Sequence, residues 1–196
     1  MNGTDEQLYD IFLKERSEEV LLVLVKRHAE GLALFLNGFV HDMNTAQELA
    51  LDAFAEVAAG PTLFSARSSF KTWLFSVGRN LALKYLRKSR FSILSPVPET
   101  ISLDDIDEDL MAGQAAPPDM ELLKSERNRM LYTGLSKINE DYCLILTLLY
   151  FEEMTHEEAA SVMGRNKKQI YNLAERGRNA LKEELLKMGF EYEIDQ

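Results

Sequence analysis

The stretch from position 64 to position 90 combines cationic and aromatic side chains and contains no acidic residue. Phosphate groups attract Lys and Arg, and flat aromatic faces can stack against bases that have left a duplex. This segment, called the basic segment below, therefore predicts a nucleic-acid surface in a chain whose formal net charge is -10. Its cations are Arg67, Lys71, Arg79, Lys84, Arg87, Lys88 and Arg90, and its aromatic residues are Phe64, Phe70, Trp73, Phe75 and Tyr85.

A second pattern, at residues 156–175, fits a helix-turn-helix. Ala160 is small where two helices cross closely, Gly164 suits a turn with positive φ, and Ile170 can anchor the second helix in a core. Such a helix can place its N-terminal side chains at base edges in the major groove. An ordinary helical hairpin with a solvated polar face is the alternative. The polar side chains expected to face outward are Lys167, Lys168, Gln169, Tyr171, Asn172 and Arg176.

We expect helices to position these two patterns. Apolar residues recur at helical spacing, and no segment shows the alternation of apolar and polar residues that is typical of a strand. Two or three helices are expected between Leu8 and Ala59, with a stop at Gly60-Pro61. A long helix is expected from about Ser69 to Arg90. Its expected buried stripe is Phe70, Trp73, Leu74, Val77 and Leu81. Helix starts are expected at Asn44-Thr45, at Asn139, at Thr155 with Glu158, and at Asn166 with Gln169.

The sequence predicts an all-α protein of two small helical domains joined by an acidic, Pro-containing linker. The first domain is assigned to residues 1–91, the linker to 92–119 and the second domain to 120–196. Residues 91–123 hold eight acidic side chains and no basic one, and they sustain no helical or strand period. The linker prolines are Pro96, Pro98, Pro117 and Pro118.

Several other functions are disfavoured by the sequence. The single cysteine, Cys143, rules out an internal disulfide and is expected to be a buried structural thiol. His28, His41 and His156 are scattered, so surface or cap roles are expected rather than a metal site. The acidic run at 104–109 lacks the ligand order of a calcium loop. We find no catalytic motif, cofactor motif, signal peptide or apolar run of about 18 residues, so we expect a cytoplasmic protein that is not an enzyme.

Three stretches resemble the sigma-70 family of bacterial RNA polymerase sigma factors, in its extracytoplasmic-function (ECF) group. The resemblance covers nearly the whole chain. The stretches that resemble sigma region 2 are AQELALDAF at 46–54 and FSARSSFKTWLFSVGRNLALKYLRKSR at 64–90. The stretch that resembles sigma region 4 is LTLLYFEEMTHEEAASVMGRNKKQIYNLAERGRNAL at 146–181. The most specific string is SSFKTWLFSVGRNLAL at 68–83.

The resemblance implies a promoter-specificity subunit that binds core RNA polymerase and promoter DNA, with an anti-sigma factor as a candidate further partner. It implies contacts to the β′ clamp helices from Glu48, Leu49, Asp52 and Phe54, and a β flap contact from region 4. It implies a loop that accepts a flipped base at Phe64, Ser65, Ala66, Arg67, Ser68 and Ser69. It implies minus-10 contacts from Arg79, Asn80, Lys84, Arg87 and Lys88. It implies minus-35 contacts from Lys167, Lys168, Gln169, Asn172, Arg176 and Arg178.

The chain departs from the family pattern at a few positions. Leu149 and Leu173 stand where Arg is usual, and Glu175 places a negative charge beside the expected DNA face. Lys168 replaces a small residue, Arg165 replaces a hydrophobic one, and Leu51 replaces a common Gln. Two alternatives to a sigma factor therefore stay open. One is a helix-turn-helix regulator that binds duplex DNA without polymerase, and the other is a sigma-like decoy that does not read DNA.

Overall fold

The computed structural model of the protein describes residues 3–60, 64, 68–93 and 126–190, and every regular element in those ranges is helical. The all-α prediction is confirmed. The helices are α1 (Asp5–Glu15), α2 (Glu18–Val40), α3 (Met43–Ala59), α4 (Phe70–Ile93), α5 (Glu126–Leu135), α6 (Glu140–Leu146), α7 (His156–Met163) and α8 (Lys167–Lys187), with a π-helical segment at Thr147–Phe151 between α6 and α7. The proposed linker at 92–119 lies outside the described residues except for its first two positions, which belong to α4.

Helices α1 to α4 form a first module around one apolar core. Each turns an apolar face inward at helical spacing, and Tyr9, Phe35, Phe70 and Phe75 are completely buried in that core. Thr4 starts α1 with a capping box in which Gln7 returns the bond to the Thr4 backbone. The Tyr9 hydroxyl donates to the carbonyl oxygen of Val57 at 3.0 Å, which ties α1 to the end of α3.

The boundaries of α3 and α4 differ slightly from those expected. The cap of α3 is Asp42, whose carboxylate accepts from the Thr45 backbone N–H at 2.8 Å, so the helix begins before Asn44-Thr45. Gly60 ends α3, as expected. Helix α4 starts one residue after Ser69 and continues past Arg90 to Ile93.

Helices α5 to α8 form a second module, and its local starts follow the sequence. Thr155 with Glu158, and Asn166 with Gln169, both form reciprocal capping boxes. Gly164 adopts φ 64°, the left-handed conformation that favours glycine, and it separates α7 from α8. Ile170 is completely buried. The helix-turn-helix geometry expected at 156–175 is therefore present.

The two modules pack against each other. Helix α4 contacts α7, and α2 contacts both α6 and the π-helical segment. The helix-turn-helix of the second module therefore contacts α4 through its first helix, α7. No helix within the described ranges is long and apolar enough to cross a membrane.

The buried histidine corrects one expectation. His28 is not a surface residue: its Nε2 lies 2.7 Å from a carboxylate oxygen of Asp5, and the other oxygen of Asp5 accepts from Arg27 at 2.7 Å. His41 is the left-handed C-cap of α2, and His156 opens α7. Among the described residues no group of three or more His, Cys, Asp or Glu side chains is arranged to hold a metal ion.

Candidate nucleic-acid and polymerase interfaces

The basic segment lies mainly on α4. The apolar stripe of this helix packs into the core of the first module. Phe70 and Leu74 are fully buried, while Trp73, Val77 and Leu81 are partly buried and pack against the same core. The opposite side of the helix is polar. Asn80, Lys84, Arg87 and Lys88 are exposed to solvent on that side. Helix α4 therefore presents a continuous cationic surface of the kind that phosphates attract.

Arg79 differs from the other expected minus-10 residues because it is only partly exposed. Burial lowers its pKa, and the neighbouring Arg165 lowers it further against the opposing effect of Asp141. Arg165 and Asp141 form an ion pair at 2.5 Å. Arg79 therefore lies beside the second module, and a carbon atom added to Gly164 would lie 3.7 Å from its Nη1 atom.

The expected base-accepting loop is described only at its ends. Ser65, Ala66 and Arg67 lie outside the described residues. Phe64 packs in a cluster of aromatic rings with centroid distances of 5.7 Å to Tyr9 and 5.3 Å to Trp73. Ser68 is exposed.

Ser69 and Glu6 hold the start of α4. The Ser69 side chain accepts from the Thr72 backbone N–H at 3.2 Å, and Glu6 accepts from the Phe70 backbone N–H at 2.9 Å. Ser69 is thus the local N-cap, and Glu6, which belongs to α1, accepts from a further N–H that the first turn of α4 leaves free. This hydrogen bond is the main cause that holds the pKa of Glu6 below its ordinary value. Sequence reasoning missed Glu6, because the pairing spans 64 positions.

The expected polymerase-binding helix is α3, and its four candidate residues divide into two pairs. Glu48 and Asp52 are exposed, one turn apart on the same face. Leu49 and Phe54 are only 7% and 3% exposed, so they position the helix in the core and offer little surface to a partner. Leu51, which is 59% exposed, instead leaves an apolar side chain open to solvent beside the two acids.

The expected minus-35 residues lie on α8, and all six are exposed: Lys167, Lys168, Gln169, Asn172, Arg176 and Arg178. Three of them also have intramolecular partners. Lys167 is paired with Glu157, Gln169 completes the Asn166 capping box, and Arg178 donates to the Tyr150 hydroxyl at 3.0 Å. Leu149 and Leu173 pack against the core, and Glu175 is exposed.

Tyr171 is an exposed aromatic residue on α8 that is not among the minus-35 residues implied by the resemblance. Its side chain is 50% exposed, although its ring stacks on the His156 ring with centroids 4.1 Å apart. The Lys167 ammonium lies 5.9 Å from the ring centroid of Tyr171. The ring is therefore held in one orientation at the N-terminal half of the second helix. Its outward position was visible in the sequence, but the stack on His156 was not.

Cys143 fits the structural role expected for it. Burial raises the pKa of its thiol to about 11, so the thiolate is scarce near neutral pH. The residue packs against the apolar core as one of its partly buried members. A hydrogen bond with the Thr147 side chain opposes this increase in pKa, but the effect of burial is larger, which fits a structural thiol.

Comparison with known families and proteins agrees with this arrangement. Residues 24–91 match the family model "Sigma-70 region 2", and residues 128–181 match "Sigma-70, region 4". RNA polymerase sigma factor YlaC of Bacillus subtilis is 24% identical over 84% of this chain and 91% of its own length. ECF RNA polymerase sigma factor SigX of the same organism is 25% identical over 86% of this chain and 84% of its own length.

Solved structures show the same fold. CnrH, solved in complex with the cytosolic domain of CnrY, has a TM-score of 0.60 at 18% identity, with 91% of this chain and 94% of that chain covered. The sigma factor RpoE of Bartonella quintana, solved with the anti-sigma factor NepR, has a TM-score of 0.58 at 20% identity, with 88% and 96% covered.

The chain belongs to the sigma-70 family, with a region 2 module followed by a region 4 module. The resemblance to ECF sigma factors that the sequence indicated is confirmed. Members of this family are non-catalytic factors that bind core RNA polymerase and direct promoter recognition.

Proposed function

We propose that this protein is an ECF sigma factor in which α3 docks on core polymerase, α4 reads and opens the minus-10 element, and α8 reads the minus-35 element. The observation that carries the proposal is the exposed cationic face of α4 in the same chain as an exposed, capped recognition helix. The proposed domains are residues 1–91 and 120–196, joined by the linker at 92–119. The protein would act in the cytoplasm, where the polymerase is, and leave catalysis to it.

The residue roles follow from exposure and charge. Lys84, Arg87 and Lys88 would contact phosphates of the opened minus-10 element, and Asn80 would contact a base. The end of the loop at Phe64 and Ser69 would border the position of the flipped base, whose extrusion costs a few kcal/mol that a pocket and stacking offset.

On α3 we assign the polymerase contact to Glu48 and Asp52, with Leu51 as an added apolar contact. Leu49 and Phe54 are assigned a positioning role, because their side chains point into the core. On α8, the six exposed residues named above would contact the minus-35 duplex. We further propose an anti-sigma factor as a partner, since RpoE, a protein of the same fold, was solved with one. Copurification from the native host tests that partner.

Transcription in vitro tests the proposal as a whole. Core polymerase is mixed with this protein and a library of genomic fragments, and the RNA 5′ ends are mapped. We expect discrete start sites that appear only when both components are present, preceded by two shared sequence elements. A protein that binds fragments alone, without new start sites, would instead be the helix-turn-helix regulator. Polymerase binding without any start site would support the decoy.

A further inference from the structure

Two rings connect the helices of the helix-turn-helix near their N-terminal ends. His156 is the first residue of α7, and Tyr171 lies one turn after Lys167, the first residue of α8. The angle between the two ring planes is 16° and the centroids are 4.1 Å apart, so the rings stack. Stacked aromatic pairs contribute stability beyond the area that they bury. The first helix of the motif therefore holds an aromatic side chain of the recognition helix.

The backbone on both sides of this stack is fixed by the local fold. Capping boxes set the residue at which each of the two helices begins. Ile170, the chain neighbour of Tyr171, is completely buried and anchors α8 in the core. The core does not hold the ring of Tyr171, which points outward and can change rotamer unless a neighbour restrains it. The imidazole of His156 is such a neighbour.

Lys167 makes a second, weaker contact with the same ring. Its ammonium lies 5.9 Å from the centroid of Tyr171, near the outer limit of a cation–π contact. The ammonium is also paired with Glu157, and both side chains of that pair are exposed. Exposed ion pairs contribute little to stability, so this pair cannot hold the ring firmly. The stack on His156 is therefore the main restraint on the orientation of Tyr171.

Tyr171 keeps a surface for a ligand despite the stack, because it is 50% exposed. In a helix-turn-helix the first turns of the second helix lie at base edges in the major groove. The apolar group among those edges is the C5 methyl of thymine. A side chain that is free before binding loses rotamer freedom when it makes such a contact, and this loss weakens binding. A ring that is already held avoids most of that loss.

From this geometry we infer that His156 is a positioning residue for Tyr171, whose ring it holds in the orientation that contacts a thymine methyl of the minus-35 element. The reading of minus-35 bases by α8 rests on the proposed function. His156 acts only through the ring of Tyr171 and touches no DNA itself. Its effect on promoter binding therefore requires Tyr171, and another flat ring at position 156 can replace the imidazole.

The experiment measures the affinity of the holoenzyme for a mapped promoter and for copies in which one minus-35 thymine is replaced by deoxyuridine, which lacks the methyl. The ratio of the two dissociation constants is called the methyl ratio. For wild type we expect about fourfold at one position, the value for a buried methyl-sized group. His156→Ala should lower that ratio to less than about twofold, because the ring is no longer held. His156→Phe should keep the wild-type ratio, because a phenyl ring can also stack.

A double-mutant cycle separates a positioning role from a direct one. Tyr171→Ala removes the ring, so adding His156→Ala to it should change neither the promoter affinity nor the methyl ratio any further. Ser161→Ala, at an exposed position of the same helix, is the control and should match wild type. Nuclear magnetic resonance of the free full chain checks the stack itself, since the ring-current shift of the His156 Cε1 proton should disappear in Tyr171→Ala. Circular dichroism checks that each variant keeps its helical content.

Each of several other results overturns the inference. An unchanged methyl ratio in His156→Ala means that the ring is held without the imidazole. A loss that His156→Phe does not restore, or that persists in the Tyr171→Ala background, means that the imidazole contacts DNA directly. A methyl ratio of one at every thymine in wild type means that Tyr171 reads no methyl, while the assignment as a sigma factor stands. A holoenzyme that initiates at no promoter instead overturns the proposed function, and the inference with it.

Discussion

Individual residues on the exposed faces of α4 and α8 differ in the kind of DNA contact that their chemistry permits. Lys84 and Arg87 carry charge and suit phosphates, whereas Asn80 can exchange hydrogen bonds with a base edge. Tyr171 adds a rigid, exposed ring to the recognition helix, stacked on His156. These differences make the assigned roles separable by measurement.

Substitutions of the cations and of the amide on α4 should therefore have different effects on DNA binding. In the holoenzyme, Lys84→Ala and Arg87→Ala should each weaken promoter binding and reduce the salt dependence by about one counterion. Asn80→Ala should leave the salt slope unchanged and alter the preference among minus-10 sequences. Filter binding across a salt series, with a promoter set mutated in that element, measures both. Lys26→Ala, an exposed cation on α2, is the control. If the salt dependence is the same for wild type and all four variants, α4 does not contact phosphates.

The ring of Tyr171 is expected to contact a thymine methyl in the minus-35 element, because apolar side chains read that group in the major groove. Replacing thymines one at a time by deoxyuridine removes the methyl alone. One position should cost the wild-type holoenzyme about fourfold in affinity, near the 0.8 kcal/mol of a buried methyl-sized group. With Tyr171→Ala the same replacement should cost nothing. A cost that persists in the variant would assign that methyl to another residue.

At the scale of elements, what could be predicted depended on how local each signal is. The capping boxes of α7 and α8, the glycine turn between them and the apolar stripe of α4 arise within a few residues, so the pattern alone revealed them. The start of α4 is also bonded to Glu6, and the contact between the modules includes the hydrogen bond of Ser69 to Glu158. Such pairings bring together residues far apart in sequence, and no local period encodes them.

Helix α1 is expected to stabilise α4 through Glu6. Glu6→Ala removes a carboxylate that accepts from the Phe70 backbone N–H, so it should lower the free energy of unfolding by about 1 kcal/mol at neutral pH. The pKa of Glu6 is lowered in the folded protein, so its stabilisation is present above the ordinary value of 4.5 and is lost as the pH falls through the folded value. Urea unfolding at neutral and acidic pH tests this. A difference that does not shrink in acid would mean that the charge of Glu6 is not involved.

The exposed face of α3 is expected to bind polymerase through its acids. Glu48→Lys with Asp52→Lys should weaken binding to core polymerase, because both carboxylates lie on one exposed face. The matched control is Asp10→Lys with Glu15→Lys, which reverses two exposed acids on α1. Fluorescence titration with core polymerase measures the affinity, and circular dichroism checks the helices. Equal affinity for both double variants would place the polymerase contact elsewhere, and Leu51→Ala tests the apolar part separately.

At the scale of the whole molecule, two modules of one family occur in one chain and pack on each other through α4 and α7. The two modules were predictable because each carries its own motif. Their contact was not, because it depends on glycines of α2 and acids of the second module that have no local pattern.

Permanganate footprinting on a mapped promoter tests the central claim most directly, because permanganate oxidises thymines only where strands have separated. The account predicts reactive thymines in and downstream of the minus-10 element with core polymerase plus this protein, and none with either alone. Lys84→Ala should reduce that reactivity while polymerase binding stays intact. Reactivity that does not require this protein, or a complex with polymerase that leaves every promoter closed, would contradict its assignment as a promoter-opening sigma factor.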